Sequence, residues 1–410
     1  MPTLRTGPRQ AAFAFIFVTV LLDMLALGMV IPVLPKLIES FVAGDTARAS
    51  EYVGLFATVW ALMQFIFSPV QGALSDRFGR RPVILISNFG LGLDYVVMAL
   101  APNLVWLLAG RVVSGIASAS IATAFAYIAD VTPAEQRAAR FGMIGAAFGA
   151  GFVVGPALGG VLGALDPRLP FWAAAAASLL NGLYGLFIVP ESLPAERRMP
   201  FAWQRANPVG SLLLLRTHHE LYGLAAANFL AQMAHVALPT VFVLYASYRY
   251  GWGERPIGFT LALVGVCAIV VQAGLVGRCV ELLGERGALA IGLLFGALGF
   301  AVYGVAPSGW LFCVGVPLMA LWGLASPSAN GLMSKRVSPS EQGQLQGANA
   351  SIQGIANLVA PAIFAQLFAY AIGAGRGWNL PGAPFLLAAI LLVAAAALAW
   401  QVTRPRGNHG

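Results

Sequence analysis

The stretch Gly72-Ala73-Leu74-Ser75-Asp76-Arg77-Phe78-Gly79-Arg80-Arg81 separates two apolar runs, residues 52–70 and 82–101. Each run is long enough to cross a bilayer, because about 20 residues at a rise of about 1.5 Å cover about 30 Å of hydrocarbon. A decapeptide between two such runs is too short for a domain and reads as a turn at the membrane surface. Gly72 and Gly79 permit close helix approach and a tight reversal. Asp76 can cap a neighbouring helix N-terminus, and Arg77, Arg80 and Arg81 can bind carboxylates or helix C-termini. An ordinary positive-inside loop would account for the arginines. It does not account for the glycines and the aspartate at these spacings.

The composition agrees with a membrane origin. The 410-residue chain is 59% hydrophobic and only 10% charged, against about 25% charged in soluble domains. Its formal charge of +8 is dispersed among loops, so a nucleic-acid partner is not expected and the positive-inside rule explains the basic residues. Cys267, Cys279 and Cys313 lack paired spacing; neither a disulfide framework nor a thiolate metal site is supported. The first apolar run begins near Ala11, after Arg5 and Arg9, contains Asp23 and ends in Pro32 and Pro35. It has no convincing small-residue cleavage site and reads as a retained helix.

Spans are expected at roughly 11–35, 52–74, 82–101, 105–129, 139–164 and 171–189, then 221–246, 257–277, 287–306, 310–333, 344–371 and 384–402. This divides the chain into a six-helix bundle at 1–189, a proline-rich polar linker at 190–220 and a second six-helix bundle at 221–410. With both termini cytoplasmic, inner segments hold seventeen Lys and Arg, among them Arg205 and Arg406, and outer segments hold six, which orients the chain. An internal repeat supports two halves. Val131-Thr132-Pro133-Ala134-Glu135-Gln136 recurs as Val337-Ser338-Pro339-Ser340-Glu341-Gln342, and Gly72, Asp76, Gly79 and Arg81 recur at offset 205 as Gly277, Glu281, Gly284 and Arg286.

Some polar residues fall inside the spans. Asp23, Asp94 and Arg111 lie at lipid depth, where an ionised side chain costs about 2.5–3.5 kcal/mol or more. A structural Asp–Arg pair is the plain reading, but two carboxylates sharing one arginine do not balance. A carboxylate so placed can take a proton on one side and release it on the other. His235 lies near the middle of the seventh span and is a candidate substrate contact. Gln64, Gln232, Asn330 and Gln353 are candidate ligands or interhelical hydrogen-bonding residues. No metal cluster, phosphate loop or nucleophile–base pair is visible, so an enzyme is not expected. The fifth span carries Gly151, Gly155, Pro156, Gly159 and Gly160, whose small residues four apart allow close helix packing while the proline loosens the backbone ladder.

The order G-x-L-S-D-R-F-G-R-R resembles the signature loop of the major facilitator superfamily, and G-x-x-x-G-P-x-x-G-G resembles the fifth-helix motif of its drug:proton antiporters. Leu22-Asp23-Met24, Ile31-Pro32-Val33-Leu34-Pro35, residues 74–82, Asp94-Tyr95, Gly110-Arg111, Ala126-Tyr127-Ile128-Ala129-Asp130 and Gln342-Gly343-Gln344-Leu345-Gln346-Gly347 look like tetracycline-efflux proteins. The resemblance implies an all-α fold of twelve transmembrane helices in two parallel repeats, with cargo held between the halves. It implies proton-coupled export by alternating access from a bacterial inner membrane, by a monomer driven by the proton gradient, with no resident cofactor expected. A tetracycline cargo could arrive as a magnesium chelate. Asp23, Asp94 and Arg111 match functionally important positions. Arg80 and Asp130 match a cytoplasmic gate, in which Asp76 would cap a helix of the opposite half. The family's second-half histidine and aspartate align here with Ala268 and Gly296, a departure for which His235 is a candidate replacement. Export of another metabolite, a sugar or a siderophore is the alternative, and a non-transporting membrane protein the more remote one.

Overall fold

In hydrocarbon every backbone polar group must be satisfied within the chain, so long apolar runs become helices. A computed structural model describes residues 8–118, 120–201, 203 and 207–404, without the side chains of 8–14, 120–122, 134–135 and 138–139. Arg5, Arg205 and Arg406, and the side chains of Arg9, Ala134 and Glu135, lie outside the described residues. The described residues contain no strand. The first span is made of α1 (Pro8–Val30) and α2 (Leu34–Phe41), followed by α3 (Thr46–Phe78) and α4 (Arg80–Leu100). The fourth span is divided into α5 (Leu104–Ala117) and α6 (Ser120–Val131), and α7 (Ala134–Gly163) and α8 (Leu169–Ile188) complete the first six. After the short α9 (Leu213–Thr217), the seventh span is α10 (Tyr222–His235) and α11 (Ala237–Tyr250).

The next helical stretch, Glu254–Val305, is 52 residues long. At about 1.5 Å per residue it is more than twice as long as one crossing requires. It comprises α12 (Glu254–Val270), one wide turn of π helix at Val271–Leu275 and α13 (Val276–Val305). Gly284, at φ +68°, breaks α13 and separates the eighth crossing from the ninth. The tenth joins α14 (Gly309–Ala320) to α15 (Ala325–Ser334) through a 3-10 turn at Leu321–Leu324. The last two are α16 (Gln342–Ile372) and α17 (Ala383–Val402). Ten helical stretches among the described residues are long and apolar enough to cross a membrane, and counted this way the fold is consistent with the twelve crossings expected.

The decapeptide 72–81 is not the loop its composition suggests. α3 runs through it to Phe78 and α4 starts at Arg80. Helical bonding continues because Gly79 N donates to Ser75 O at 3.1 Å and Ser75 Oγ donates to Gly72 O at 2.8 Å. The whole reversal is compressed into Gly79 at φ +103°, a region that L side chains avoid. Gly284, its counterpart at offset 205, also has positive φ. The repeated glycines therefore mark the same backbone device.

By contact clustering the chain forms two compact units. One holds the chain to Phe41, Val59–Pro208 and Gly253–Ala262; the other holds Val42–Thr58, Val209–Trp252 and the chain from Leu263. The segment 190–220 is thus no single free linker, since its first part folds with the first unit. Lipid gives helices no hydrophobic reason to associate, so packing and hydrogen bonds must hold them. In the first unit this is done by glycine. An added Cβ at Gly151 would lie 2.5 Å from Met24 Cβ, and one at Gly155 would lie 2.8 Å from Gly28 Cα. At Gly159 it would run into the Met29 backbone, so α7 meets α1 backbone to backbone along one face. Gly160 is on another face and approaches Glu254 and Gly258 at the start of α12. In the second unit aromatic rings do the corresponding work. Tyr303 and Phe312 stack with centroids 4.0 Å apart, and Tyr245 Oη donates to Tyr303 O at 2.8 Å.

Candidate transport site and gate

The α3–α4 junction is built around Arg80, which is buried despite its charge. Its Nη1 donates to Asp76 Oδ1 and Ser75 Oγ, both at 2.6 Å, and its Nε donates to Asp130 Oδ2 at 3.2 Å. One guanidinium therefore ties the end of α3 to the end of α6, a fork geometry that a lysine could not reproduce. Asp76 spends Oδ1 on this arginine, and its backbone carbonyl accepts from Met199 N at 3.1 Å. The N-terminus of α4 is capped by Glu191. Its Oε1 accepts from Arg80 N at 2.8 Å, and its Oε2 accepts from Arg81 N at 3.3 Å. It also accepts from Ser192 N and Leu193 N, each at 3.0 Å. A carboxylate thus sits at the N-terminus of α4, where unpaired N–H groups and the helix dipole favour it.

Arg81 Nη2 donates to Leu186 O at 2.7 Å, at the end of α8. Arg77 stands apart from this clasp, and Gly72 joins it only through its carbonyl, which accepts from Ser75 Oγ. A Cβ at Gly72 would meet nothing within 4 Å, and Arg77 is exposed with its guanidinium 5.0 Å from the Phe78 ring. Replacing Glu191 with Gln removes the anion from four backbone donors and should weaken the local structure by about 1–2 kcal/mol. The expected result is faster hydrogen exchange at the first turn of α4, with exchange in α17 unchanged.

The second unit has an ion pair at the corresponding bend: Glu285, at offset 205 from Arg80, pairs with Lys335 at 2.8 Å, so the charge at this one position is reversed while Asp76 keeps its sign as Glu281. Lys335 is largely exposed, so this pair contributes on the order of 0–1 kcal/mol.

Deeper in the first unit, Asp94 on α4 and Arg111 on α5 are both buried and interact electrostatically. Neither Asp94 carboxylate oxygen has a hydrogen-bond partner among the described residues. The Ser114 hydroxyl donates to Arg111 O at 3.5 Å and also lies close to the Asp94 carboxylate. The Arg111 guanidinium also lies 5.8 Å from the Trp60 ring. Asp23, on the face of α1 next to Met24 and the glycine seam, is within electrostatic reach of Tyr95, which also senses Asp94 and Arg111. The arginine is therefore coupled directly to Asp94, and Asp23 lies in the same neighbourhood, near Tyr95. One Asp23 oxygen is likewise without a partner among the described residues.

The second unit contains a cavity of about 330 Å³. His235, Gln232 and Gln353 line it, together with Asn228, Gln272 and Trp322. The side chains of His235, Gln232, Gln272 and Gln353 make no hydrogen bond to another described residue. Trp322 lies 5.5 Å from His235 and 5.8 Å from Phe300, centroid to centroid. A Cβ at Gly296 would lie 2.9 Å from Trp322 Cγ, so the indole occupies space that any side chain at 296 would need. Ala268 also lines the cavity. Two candidates fall outside it. Gln64 is in the first unit. Asn330 accepts from Asn349 Nδ2 at 2.9 Å, and Asn349 accepts from Asn228 Nδ2 at 3.3 Å, so this chain of amides joins α15, α16 and α10.

Glu191, Trp322, Gln272 and Asn228 were not singled out by sequence reasoning. For Gln272 a signal existed, since it lies four residues beyond Ala268. For Glu191 the signal was an acid immediately after Pro190, at the end of the sixth span. Among the described residues no group of three or more His, Cys, Asp or Glu could hold a metal ion.

The apolar crossings, a charged clasp, a buried acid–base pair and a polar cavity together describe a multi-pass transporter for small molecules. The model of the Major Facilitator Superfamily matches residues 16–361, and the chain belongs to that superfamily. The chain is 39% identical over 378 residues to the class C tetracycline resistance protein of Escherichia coli, covering 92% of this chain and 95% of that protein. It is 35% identical over 361 residues to the class B protein of the same organism, covering 88% and 89%. A solved bacterial homologue of the human lysosomal transporter Spinster, inward-facing and unoccupied, matches with TM-score 0.80 over 97% of both chains. At 16% identity that is a likeness of fold alone.

Proposed function

We propose that this protein exports a tetracycline-type amphipathic drug from the bacterial cytoplasm in exchange for protons, as a monomer in the inner membrane with both termini cytoplasmic. The observation that carries the proposal is the Asp94 carboxylate, buried beside Arg111 with neither oxygen hydrogen-bonded among the described residues. A carboxylate committed to structure would be saturated with donors. This one keeps its lone pairs for a proton, and Arg111 balances the charge when the proton leaves. Asp23 is the second acid of the relay.

Proton and drug must favour different conformations, because a ligand that binds both equally shifts nothing. Alternating access supplies the two states, and the Arg80–Asp76–Asp130 clasp stabilises one of them. The cavity beside His235 takes the drug, with amides for its polar edge and Trp322 for its ring face. A magnesium ion travelling with a tetracycline would be part of the cargo, and the glutamine amide oxygens would face it. The relatives named as tetracycline resistance proteins support the drug class. Ala268 and Gly296 favour a second reading, in which the cargo is another amphipathic metabolite.

Everted vesicles test the proposal. Adding tetracycline should release protons from vesicles holding an acid interior, and susceptibility across a drug panel should identify the cargo. Drug-independent proton movement would refute the antiport reading. Trp322→Ala should raise the KM for the transported drug about tenfold, equivalent to about 1.4 kcal/mol, with proton coupling per drug unchanged. An unaltered KM would move the binding site elsewhere.

A further inference from the structure

A second cavity, of about 430 Å³, opens at helix ends of the second unit and is lined by Tyr248, Arg249, Arg376, Asn379, Ala371 and Pro381. Arg249 comes from the last turn of α11, and Arg376 begins the short 3-10 helix Arg376–Trp378 between α16 and α17. Two guanidinium groups from separate elements therefore share one concavity. Neither has a carboxylate within 4.0 Å among the described residues. Arg249 is fixed by Nε, which donates to Ala306 O at 3.2 Å, and the side chain of Arg376 makes no hydrogen bond to a described residue. Like charges gathered without an acid repel each other and are relieved by a bound anion. The other polar groups, the Tyr248 hydroxyl and the Asn379 amide, can both donate. Asn379 holds its position in a left-handed conformation, φ +49°, that asparagine tolerates better than most residues.

The surroundings point to the source of that anion. Trp378 is 65% exposed and Tyr370 is 47% exposed, and their rings meet edge to face at 5.4 Å. Exposed Trp and Tyr at the ends of transmembrane helices sit at headgroup level. Guanidinium groups are suited to phosphate oxygens through bidentate bonding. We propose that this cavity binds the phosphodiester of an anionic phospholipid, with Arg249 and Arg376 on the phosphate and the Tyr370–Trp378 pair against the lipid. The site is separate from the drug cavity and does not depend on which cargo is carried.

The test uses the full chain in nanodiscs containing equal amounts of dioleoylphosphatidylglycerol and dioleoylphosphatidylcholine, with the lipids retained on release read by native mass spectrometry. Phosphatidylglycerol should be retained in preference, and Arg376→Gln should reduce the preference about fivefold, the effect of one arginine near a charged surface. Arg249→Gln should do the same. Arg255→Gln removes the same charge from an exposed position outside this cavity and should leave the preference intact. Equal retention of both lipids would overturn the proposal, as would an unchanged preference in the two pocket variants. Binding of inorganic phosphate in detergent that displaces the retained lipid at millimolar concentration would overturn the lipid assignment in favour of a free anion.

Discussion

Asp94→Asn is expected to reduce proton-driven drug uptake by everted vesicles to about one hundredth of the parent rate while drug binding remains measurable. A ligand that moves a two-state protein from 1:99 to 99:1 must supply about 5.5 kcal/mol of differential affinity. If the proton on Asp94 is that ligand, an isosteric amide removes the driving force and leaves only the passive exchange of states. Asparagine preserves the shape of the pocket, so the loss would be specific to the proton. It does leave Arg111 without its charged partner, and uncompensated buried charges are costly. Melting temperature and equilibrium drug binding must therefore be measured on the same preparation. Asp94→Glu should restore part of the coupling. The geometry also ranks the two acids. Asp94 interacts directly with Arg111, whereas Asp23 has no such charged partner among the described residues, so Asp23→Asn should leave more residual coupling. Full proton-coupled uptake by Asp94→Asn would remove this residue from the mechanism.

The second large effect is steric. Gly159→Val places its branched carbon against the Met29 backbone, where even a Cβ would lie 2.7 Å from Met29 Cα. Backbone cannot rotate aside as a side chain does, so α1 must separate from α7. Overpacking of this kind costs about 1–3 kcal/mol, and here it also displaces the helix that carries Asp23. Both melting temperature and transport should fall. The same helix supplies its own control, because a Cβ at Gly142 or Gly145 would meet nothing within 4 Å. Gly142→Ala and Gly145→Ala should be neutral or stabilising, by up to about 1 kcal/mol from helix propensity. Equal damage from all three substitutions would show that α7 needs flexibility along its length and not a close-fitting face at Gly159.

Much of this architecture was legible because lipid enforces a simple rule between apolar length and helix. The crossings and the glycine face of α7 could be reached from residue type and spacing, and the Arg80–Asp130 partnership from the resemblance to the superfamily. The details that escaped depend on distance along the chain or on local backbone geometry. Glu191 caps a helix whose first residue is more than a hundred positions earlier, and no local pattern announces that meeting. The reversal at Gly79 needs one residue where charge and glycine content suggested ten. Gln272 belongs to a π turn, which alters the helical register on which face assignments rest. Asn330 shows the opposite limit: an in-span amide is compatible with cargo or with scaffold, and its bond to Asn349 is a scaffold contact that spacing alone does not announce.

The charge reversal between Arg80 and Glu285 also bears on how such a duplicated gene can change. Copying the segment around Arg80 onto its later counterpart would bring an arginine beside Lys335, and the reverse exchange would bring Glu285 beside Asp130. Either crossover makes two like charges neighbours at a tight bend. Sequence exchange between the duplicated segments is therefore penalised at this point, and each copy is left to diverge on its own.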